Sequence, residues 1–241
     1  MKKFLQILAF TFLFLYVISS FVFAQKRVNE KVCEEFIIEL KDSSRMHLLS
    51  TAEARRIIKS KNLYPVGKPI EKVDLDAIEK SLQEMKQVKN VACFRLPGGN
   101  VKVEIEQRTP LLRVISPSGS YFIDLEGRDM PISRVQSVYL PVATGNIQKE
   151  FASKYLYKFA LFLQDNSFWN AQIEQIVVQD TSNIILIPRV GSHTILLGKA
   201  DNLESKFKKL KKLYDDGFTE IGWNKYRSVD LRFKNQVICS K

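Results

Sequence analysis

An uncharged apolar run near the N-terminus restricts what the rest of this chain can fold into. The run extends from Phe4 to Ala24, follows Lys2-Lys3, and is interrupted only by weakly polar residues such as Thr11. As a helix rising about 1.5 Å per residue, it reaches about 30 Å, which is the thickness of the hydrocarbon core of a bilayer. No later stretch is as long and as apolar, so we expect one membrane crossing at most.

Two interpretations of this run remain open. A signal anchor stays in the membrane, whereas a signal peptide is removed, and Val22-Phe23-Ala24 before Gln25 offers the small residues that precede cleavage sites. A cleavable apolar region usually spans about 7–15 residues, so the greater length favours the uncleaved anchor. We predict a cytoplasmic tail over 1–3, an anchor over 4–24, a linker over 25–33 and a periplasmic bulk, although Lys26-Arg27 competes with Lys2-Lys3 in setting the orientation.

The charge of the chain limits the kinds of partner it suits. Its formal net charge is +11, an excess that fits nucleic acid, an anionic membrane surface or acidic proteins. No basic motif with interleaved aromatic residues accompanies that excess, so we do not expect nucleic-acid binding.

The pattern over residues 34–108 predicts a small domain with the element order β-α-α-β-β. Ser50, followed three residues later by Glu53, forms a capping box that starts the first helix, and Asp74 begins the second. The predicted elements are a strand over 34–41, helices over 50–62 and 74–85, a strand over 88–96, a turn over 97–100 and an alternating strand over 101–106.

Pro110 marks the start of a second domain, predicted over 109–241. Proline cannot donate a hydrogen bond to a sheet and biases Thr109 away from helix. Short alternating segments separated by turn residues predict a mostly antiparallel β domain with two helices, and hence an α+β fold class. The predicted strands cover 111–115, 121–124, 130–132, 173–178, 184–187, 194–197, 226–233 and 236–239, and the helices cover 149–165 and 202–215.

Patterns typical of catalysis or metal binding are weak. Neither His47 nor His193 accompanies a nucleophile and an acid at a recognisable spacing, and His193 is interpreted as structural. Cys33, Cys93 and Cys239 match no zinc or redox spacing, and both buried thiols and a disulfide between two of them remain open. We therefore predict a protein that is not an enzyme and holds no metal or cofactor.

The order of these elements resembles the FtsQ/DivIB family of bacterial cell-division proteins. The motifs that carry the resemblance are VKVEIEQRTP at 101–110, YFIDLEGRDMP at 121–131, LPVATG at 140–145, IEQIVV at 173–178, HTILLG at 193–198 and VDLRFKNQVI at 229–238. The cysteine in KVCEE is similar to forms of the family from Bacteroidetes-type bacteria. The resemblance implies one transmembrane helix, a POTRA domain over 34–108 and an FtsQ-type β domain over 109–241.

The resemblance also implies a function. Members of the family act as divisome scaffolds that recruit and bridge division proteins and help regulate septal peptidoglycan synthesis. The implied partners are FtsB-like and FtsL-like single-pass proteins and other divisome components at the inner membrane, with enrichment at the division septum.

The C-terminal strands are the predicted binding site. The last of them is expected at a sheet edge, where a strand from an FtsB-like partner can add, and the alternative is that it merely closes the domain. Acidic partner residues would be attracted by the basic helix over 202–215, whose alternatives are an ordinary solvated face and a lipid-binding face. The candidate residues are Tyr226, Arg227, Arg232, Phe233, Val237 and Ile238 of the strands and Lys206 and Lys209 of the helix.

Two other functions compete with the scaffold. A POTRA-bearing periplasmic factor for outer-membrane protein assembly or secretion would carry tandem POTRA repeats or a membrane barrel, and neither pattern is seen. An exported hydrolase would need a nucleophile motif, and none is evident. The first unit could also be only a spacer, since edge strands are usually protected.

Overall fold

A computed structural model describes residues 11–20, 31–41, 48–132 and 140–241. Residues 11–20 are helical, but no helix in the described part of the chain is long and apolar enough to cross a membrane. The remainder of the predicted anchor over 4–24, the cleavage-site residues, Lys26-Arg27 and His47 lie outside the described residues. The membrane anchor therefore stays a prediction.

The described residues fall into two compact units, one ending at Gln107 and the other beginning at Arg108, with Leu48 counted in the second. In the first unit, strand β1 is Phe36–Lys41, helix α1 is Thr51–Ser60 and helix α2 is Leu75–Gln83, preceded by a 3-10 turn at Ile70–Lys72. Strands β2 (Val88–Arg95) and β3 (Val101–Gln107) complete the order β-α-α-β-β, which confirms the predicted order.

Side-chain capping fixes where the two helices of the first unit begin. Ser50 Oγ accepts a hydrogen bond from Glu53 N at 3.1 Å, and Asp74 Oδ1 accepts one from Ala77 N at 2.9 Å. The sheet order is β1-β3-β2, with β1 parallel and β2 antiparallel to the central strand. Alternate residues of β3, namely Val101, Val103 and Ile105, are fully buried against the helices.

A nine-stranded sheet dominates the second unit. Its strands are β4 (Pro110–Ser116), β5 (Gly119–Asp124), β6 (Asp129–Pro131), β7 (Val142–Gly145), β8 (Ile173–Asp180), β9 (Asn183–Pro188), β10 (Thr194–Gly198), β11 (Ser228–Asp230) and β12 (Ile238–Ser240). The order is β12-β11-β10-β9-β8-β7-β4-β5-β6. The pairs β4–β7, β7–β8 and β10–β11 are parallel and the others antiparallel, so the sheet is mixed.

The helices of the second unit pack their apolar sides against this sheet. Helix α3 joins an α turn (Lys149–Phe151), a π turn (Ala152–Leu156) and an α-helix (Tyr157–Asp165), and α4 is Ser167–Gln172. Helix α5 joins Leu203–Lys212, a π turn (Leu213–Gly217) and Phe218–Ile221. The prediction of two helices omitted α4, which is short and starts where Asn166 caps Trp169 N at 3.2 Å.

Strand β7 was not predicted as a strand, and a close backbone approach explains how it fits in the middle of the sheet. Gly145 has a φ of +116°, and a Cβ on it would lie 2.1 Å from the carbonyl oxygen of Val178. Only glycine permits that contact between β7 and β8. The LPVATG motif is therefore explained by packing within the sheet.

Candidate functional site

Strand β12 lies at one edge of the sheet, as predicted. The hydrogen bonds of its neighbour β11 show which backbone groups of β12 face away from the sheet. Thr194 N donates to Arg227 O, and Leu231 N donates to Leu196 O, so alternate residues of β11 bond to β10. The intervening Ser228 and Asp230 therefore bond to β12, where they oppose Ser240 and Ile238. Between those two residues, Cys239 directs its N–H and C=O away from the sheet.

The side chains of β12 alternate in the same way. Ile238 is 39% exposed and Ser240 is exposed, whereas Cys239 is half-buried and packs against the core of the second unit. Phe233, in the loop that precedes the strand, is 43% exposed. No described strand lies beyond β12, so its outer edge offers backbone groups together with exposed apolar side chains.

The opposite end of the same sheet is blunted. The bond from Asp124 N to Arg128 O and the register of β5 and β6 direct the backbone of Asp129 and Pro131 outward. Proline has no N–H, so Pro131 removes a donor from that edge. Within the described residues of β12, no proline interrupts the outer edge in this way.

Helix side chains reach both edges of the three-stranded sheet in the first unit. Arg55 Nη2 donates to Phe36 O on β1 at 3.4 Å, and Glu79 Oε1 accepts from Cys93 N on β2 at 2.5 Å. The outward groups of Ile38 and Leu40 on β1 are not covered by these contacts. The first unit therefore protects β2 more thoroughly than β1.

A cleft of about 630 Å³, which we call the basic cleft, lies at the segment over 231–234 that leads from β11 towards β12. Its floor comes from β10 and the segment after β11, and its wall comes from helix α5. Five of its lining residues are cationic and one is anionic: Lys199, Lys206, Lys209, Arg232 and Lys234 against Asp201. The surplus of positive charge suits carboxylate-bearing ligands.

Arg232 is held in the cleft by a short-range ion pair. Its Nε lies 2.9 Å from Asp230 Oδ1 and its Nη2 lies 2.5 Å from Asp230 Oδ2. Burial opposes ionisation of Asp230, but the hydrogen bonds from the Arg232 side chain and backbone outweigh it and lower the pKa of the carboxyl. Gly198 makes room for this arrangement, because a Cβ there would lie 2.8 Å from Arg232 Cγ.

The two predicted lysines of α5, Lys206 and Lys209, form hydrogen bonds within the second unit. Lys206 is only 9% exposed, and its ammonium donates to Lys199 O and Asp201 Oδ1, each at 2.8 Å. This burial contradicts the alternative of an ordinary solvated face at Lys206, whereas its role in partner binding stays a prediction. Lys209 Nζ donates to Phe233 O at 2.6 Å and Lys234 O at 3.2 Å, so it ties the helix to the loop before β12.

The predicted C-terminal strands are shorter than expected. Tyr226 is half-buried against the core, and Arg227 is exposed while its N–H donates to Ser240 O. Both residues precede β11, and Val237 lies just before β12. The structure brings Arg232, Phe233 and Ile238 to one end of the sheet, with Lys209 beside them.

Three residues of this site were not predicted from the sequence: Gly198, Asp230 and Cys239. Asp230 and Arg232 are two positions apart, a spacing that places them on one side of an extended segment, and this signal was present in VDLRF. Cys239 and Gly198 had no local signal, because their roles follow from backbone pairing and from contacts across the sheet.

His193 lies in a closed aromatic cluster with Tyr214, Phe218 and Trp223. Its Nε2 is 2.9 Å from Tyr214 Oη, and burial lowers the pKa of the imidazole. Among the described residues, Tyr214 is the only side chain that is hydrogen-bonded to the ring, and the burial of His193 in this cluster favours the structural interpretation. In the described ranges, no group of three or more His, Cys, Asp or Glu side chains is arranged to hold a metal ion.

The cysteines are thiols in this structure. Cys33 is fully buried and its Sγ donates to Glu35 O at 3.2 Å, whereas Cys93 and Cys239 are half-buried. No disulfide joins any two of them, so the interpretation as small buried residues describes them best.

Fold and site define an α+β protein of two units that presents an open sheet edge beside a basic cleft. Residues 109–240 match the family described as FtsQ/DivIB, C-terminal related, and the chain belongs to this family. Residues 31–106 match a POTRA-like domain. Comparison with individually curated proteins gave no match.

The family match supports a coarser statement than the sequence prediction made. Proteins related to FtsQ/DivIB are generally structural and non-enzymatic, and the architecture suggests a role related to cell division with division proteins as partners. It gives no support for a particular taxon.

Proposed function

We propose that this chain is a division scaffold that recruits and bridges other division proteins and helps regulate septal peptidoglycan synthesis. The observation that supports this most is the outward-facing backbone of β12, together with the basic cleft at the segment over 231–234 before that strand. An extended partner segment can add there as a further strand, and acidic residues flanking that segment can enter the cleft.

The proposed partners are FtsB-like and FtsL-like single-pass proteins, with other divisome components joining through them. The proposal includes an inner-membrane anchor with the N-terminus in the cytoplasm, the bulk in the periplasm and enrichment at the septum. It is supported by the family membership and by the length of the apolar run from Phe4 to Ala24.

The energy available from the edge is modest. Each main-chain hydrogen bond contributes about 0.5–1.5 kcal/mol net, and a short strand offers few of them. Exposed Ile238 and Phe233 add apolar area, and the cleft adds charge complementarity. We therefore expect the cleft to select the partner and the edge to fix its position.

Site-specific photo-crosslinking in intact cells tests where partners bind. A photoreactive amino acid at Ser240, which is exposed on β12, is expected to capture small single-pass division proteins. The same amino acid at Tyr155, which is 46% exposed on α3, is the control and is expected to capture none of them. Capture of outer-membrane barrels at Ser240 would favour the assembly rival, and capture of nothing would contradict the proposed site.

A proline series tests the mechanism. Cys239→Pro removes an outward N–H without removing a bond of the β11–β12 ladder, and it is expected to abolish partner capture in a folded protein. Cys239→Ser keeps the N–H and is expected to capture the partner normally. Ile238→Pro removes an inward N–H and is expected to disturb the ladder itself. If Cys239→Pro captures as well as Cys239→Ser, strand addition at this edge is wrong.

A further inference from the structure

Strand β2 is a long edge strand whose outward backbone groups can be identified. Leu96 N donates to Asn100 O, and this bond fixes the alternation of the antiparallel pair β2–β3. Asn90, Ala92 and Phe94 therefore bond to β3, whereas the intervening Val91 and Cys93 direct their N–H and C=O groups outward. Lys89, at a bulge in the register, also directs its carbonyl oxygen outward.

Two side chains of helix α2 occupy part of that edge. Glu79 Oε1 accepts the hydrogen bond of Cys93 N at 2.5 Å, and Gln83 Nε2 donates to Lys89 O at 2.9 Å. Glu79 and Gln83 are four residues apart and so lie on the same side of the helix. The Glu79 carboxylate thus accepts from a backbone N–H of β2, and the Gln83 amide donates to a backbone carbonyl of β2.

The same two backbone groups are the ones that two copies of β2 would exchange. In an antiparallel pair with Val91 opposite Val91, Cys93 N of one copy meets Lys89 O of the other. Glu79 thus takes the place of that carbonyl, and Gln83 takes the place of that N–H. The segment from Val91 to Phe94 is apolar; Ala92 is exposed and the other three residues are half-buried, and such an apolar edge favours pairing with an identical edge.

We propose that Glu79 and Gln83 form a lock that keeps the β2 edge of this unit from pairing with the same edge of a second copy of the chain. The strand that Glu79 and Gln83 exclude is β2 of a second copy of this chain, which is always present wherever the protein is. The inference is independent of the function proposed for β12, because it concerns residues of the first unit alone.

The test is the association state of the full-length chain in detergent, measured by sedimentation velocity over a range of protein concentrations. The double variant Glu79→Ala with Gln83→Ala is expected to form a dimer at least about tenfold more tightly than the parent. In each copy, two side-chain hydrogen bonds to β2 no longer compete with the hydrogen bonds between the two β2 strands. Glu84→Ala is the matched control, because Glu84 lies beside α2 and pairs with Lys61 instead of with β2. That variant is expected to associate as the parent does.

A further variant identifies the edge involved. Adding Val91→Pro to the double variant removes an outward N–H of β2 and is expected to restore the parent's association state. A folded double variant that associates no more tightly than the parent overturns the proposal, and so does a dimer that survives Val91→Pro. If the double variant does not fold, the single variants Glu79→Ala and Gln83→Ala provide the test. Each is expected to dimerise more tightly than the parent but less tightly than expected for the double variant. Single variants that associate no more tightly than the parent overturn the proposal.

Discussion

The ion pair between Arg108 and Asp124 gives the sharpest prediction of stability. Arg108 is 8% exposed and Asp124 is 1% exposed. Arg108 Nη1 lies 2.8 Å from Asp124 Oδ2 and 2.9 Å from Glu126 Oε2. The other oxygen of Asp124 accepts hydrogen bonds from Glu126 N and Arg128 N, which form the turn between β5 and β6.

Replacing Arg108 with alanine leaves the carboxylate of Asp124 buried without its cation. Such a change costs about 3–5 kcal/mol, and because two backbone N–H groups still bind Asp124, we expect a loss of about 3 kcal/mol. With a urea dependence of about 2 kcal/mol per molar, the midpoint of unfolding falls by about 1.5 M.

Intrinsic fluorescence measures this loss in the second unit selectively. The chain has two tryptophans, Trp169 and Trp223, and both lie in that unit. A urea titration of the full-length chain in detergent therefore reports unfolding around the substituted residue. Arg128→Ala is the control, since the Arg128 side chain is largely exposed and its Nε lies 3.6 Å from Glu126, and it is expected to cost less than about 0.5 kcal/mol.

A second substitution separates the ion pair from general packing. Asp124→Asn combined with Arg108→Ala removes both charges, so the double variant is expected to be more stable than the sum of the two single losses predicts. Equal losses for Arg108→Ala and Arg128→Ala, or strict additivity of the double variant, would refute the reasoning.

Three further predictions follow from buried groups and one tight glycine. Burial lowers the pKa of His193 from its ordinary 6.5, so the unfolded chain takes up the proton first; stability is expected to fall as pH drops below about 6.5, and His193→Gln to remove that slope. Gly198→Ala and Gly222→Ala both place a side chain at positive φ and share a backbone strain of about 1–2 kcal/mol, but only at Gly198 does the new Cβ meet Arg232 Cγ, at 2.8 Å, so Gly198→Ala should lower the urea midpoint more. Burial, aided by Glu79 and Asp76, raises the pKa of Cys93 to about 12, so iodoacetamide is expected to alkylate this thiol slowly at pH 8 until urea unfolds the protein.

Each of these has a clear contrary result. A urea midpoint that declines with acid as steeply in His193→Gln as in the parent would assign the slope to other groups. Equal losses for the two glycine variants would mean that Arg232 is not displaced. Rapid alkylation of Cys93 in the native protein, measured by mass spectrometry, would contradict its burial.

Local signals predicted the first unit well because its elements are encoded by neighbouring residues. The cap at Ser50 and the cap at Asp74 lie where the helices begin, and the alternation at Val101 and Val103 gave β3. The coarse fold class is confirmed for the same reason. The role of Glu79 and Gln83 at β2 was not predictable, since it depends on how α2 lies over the sheet.

The second unit was harder to predict because long-range contacts override local pattern. Strand β7 pairs in parallel with strands on both sides, and its four residues carry too little alternation to reveal it. The predicted strand over 226–233 is interrupted after Asp230, because Arg232 folds back onto that carboxylate. Lys206 was expected on the exposed cationic side of its helix, but it is buried because it lies one turn before Leu210, beside the apolar stripe.

The alternation of inward and outward backbone groups along β12 has a consequence for the evolution of the protein and a partner. Ile238 and Ser240 hold the strand in the sheet, and the backbone of Cys239 faces outward, whatever side chain it carries. Backbone hydrogen bonds do not depend on the side chains of the added strand. The sequence of that strand can therefore change during evolution as long as it keeps its β propensity. If the proposed strand addition is right, compensating substitutions should accumulate between acidic residues of the partner and the cleft cations Arg232 and Lys234. Exchange of the cleft residues between two related species, with β12 left unchanged, should therefore be enough to exchange their partner preference.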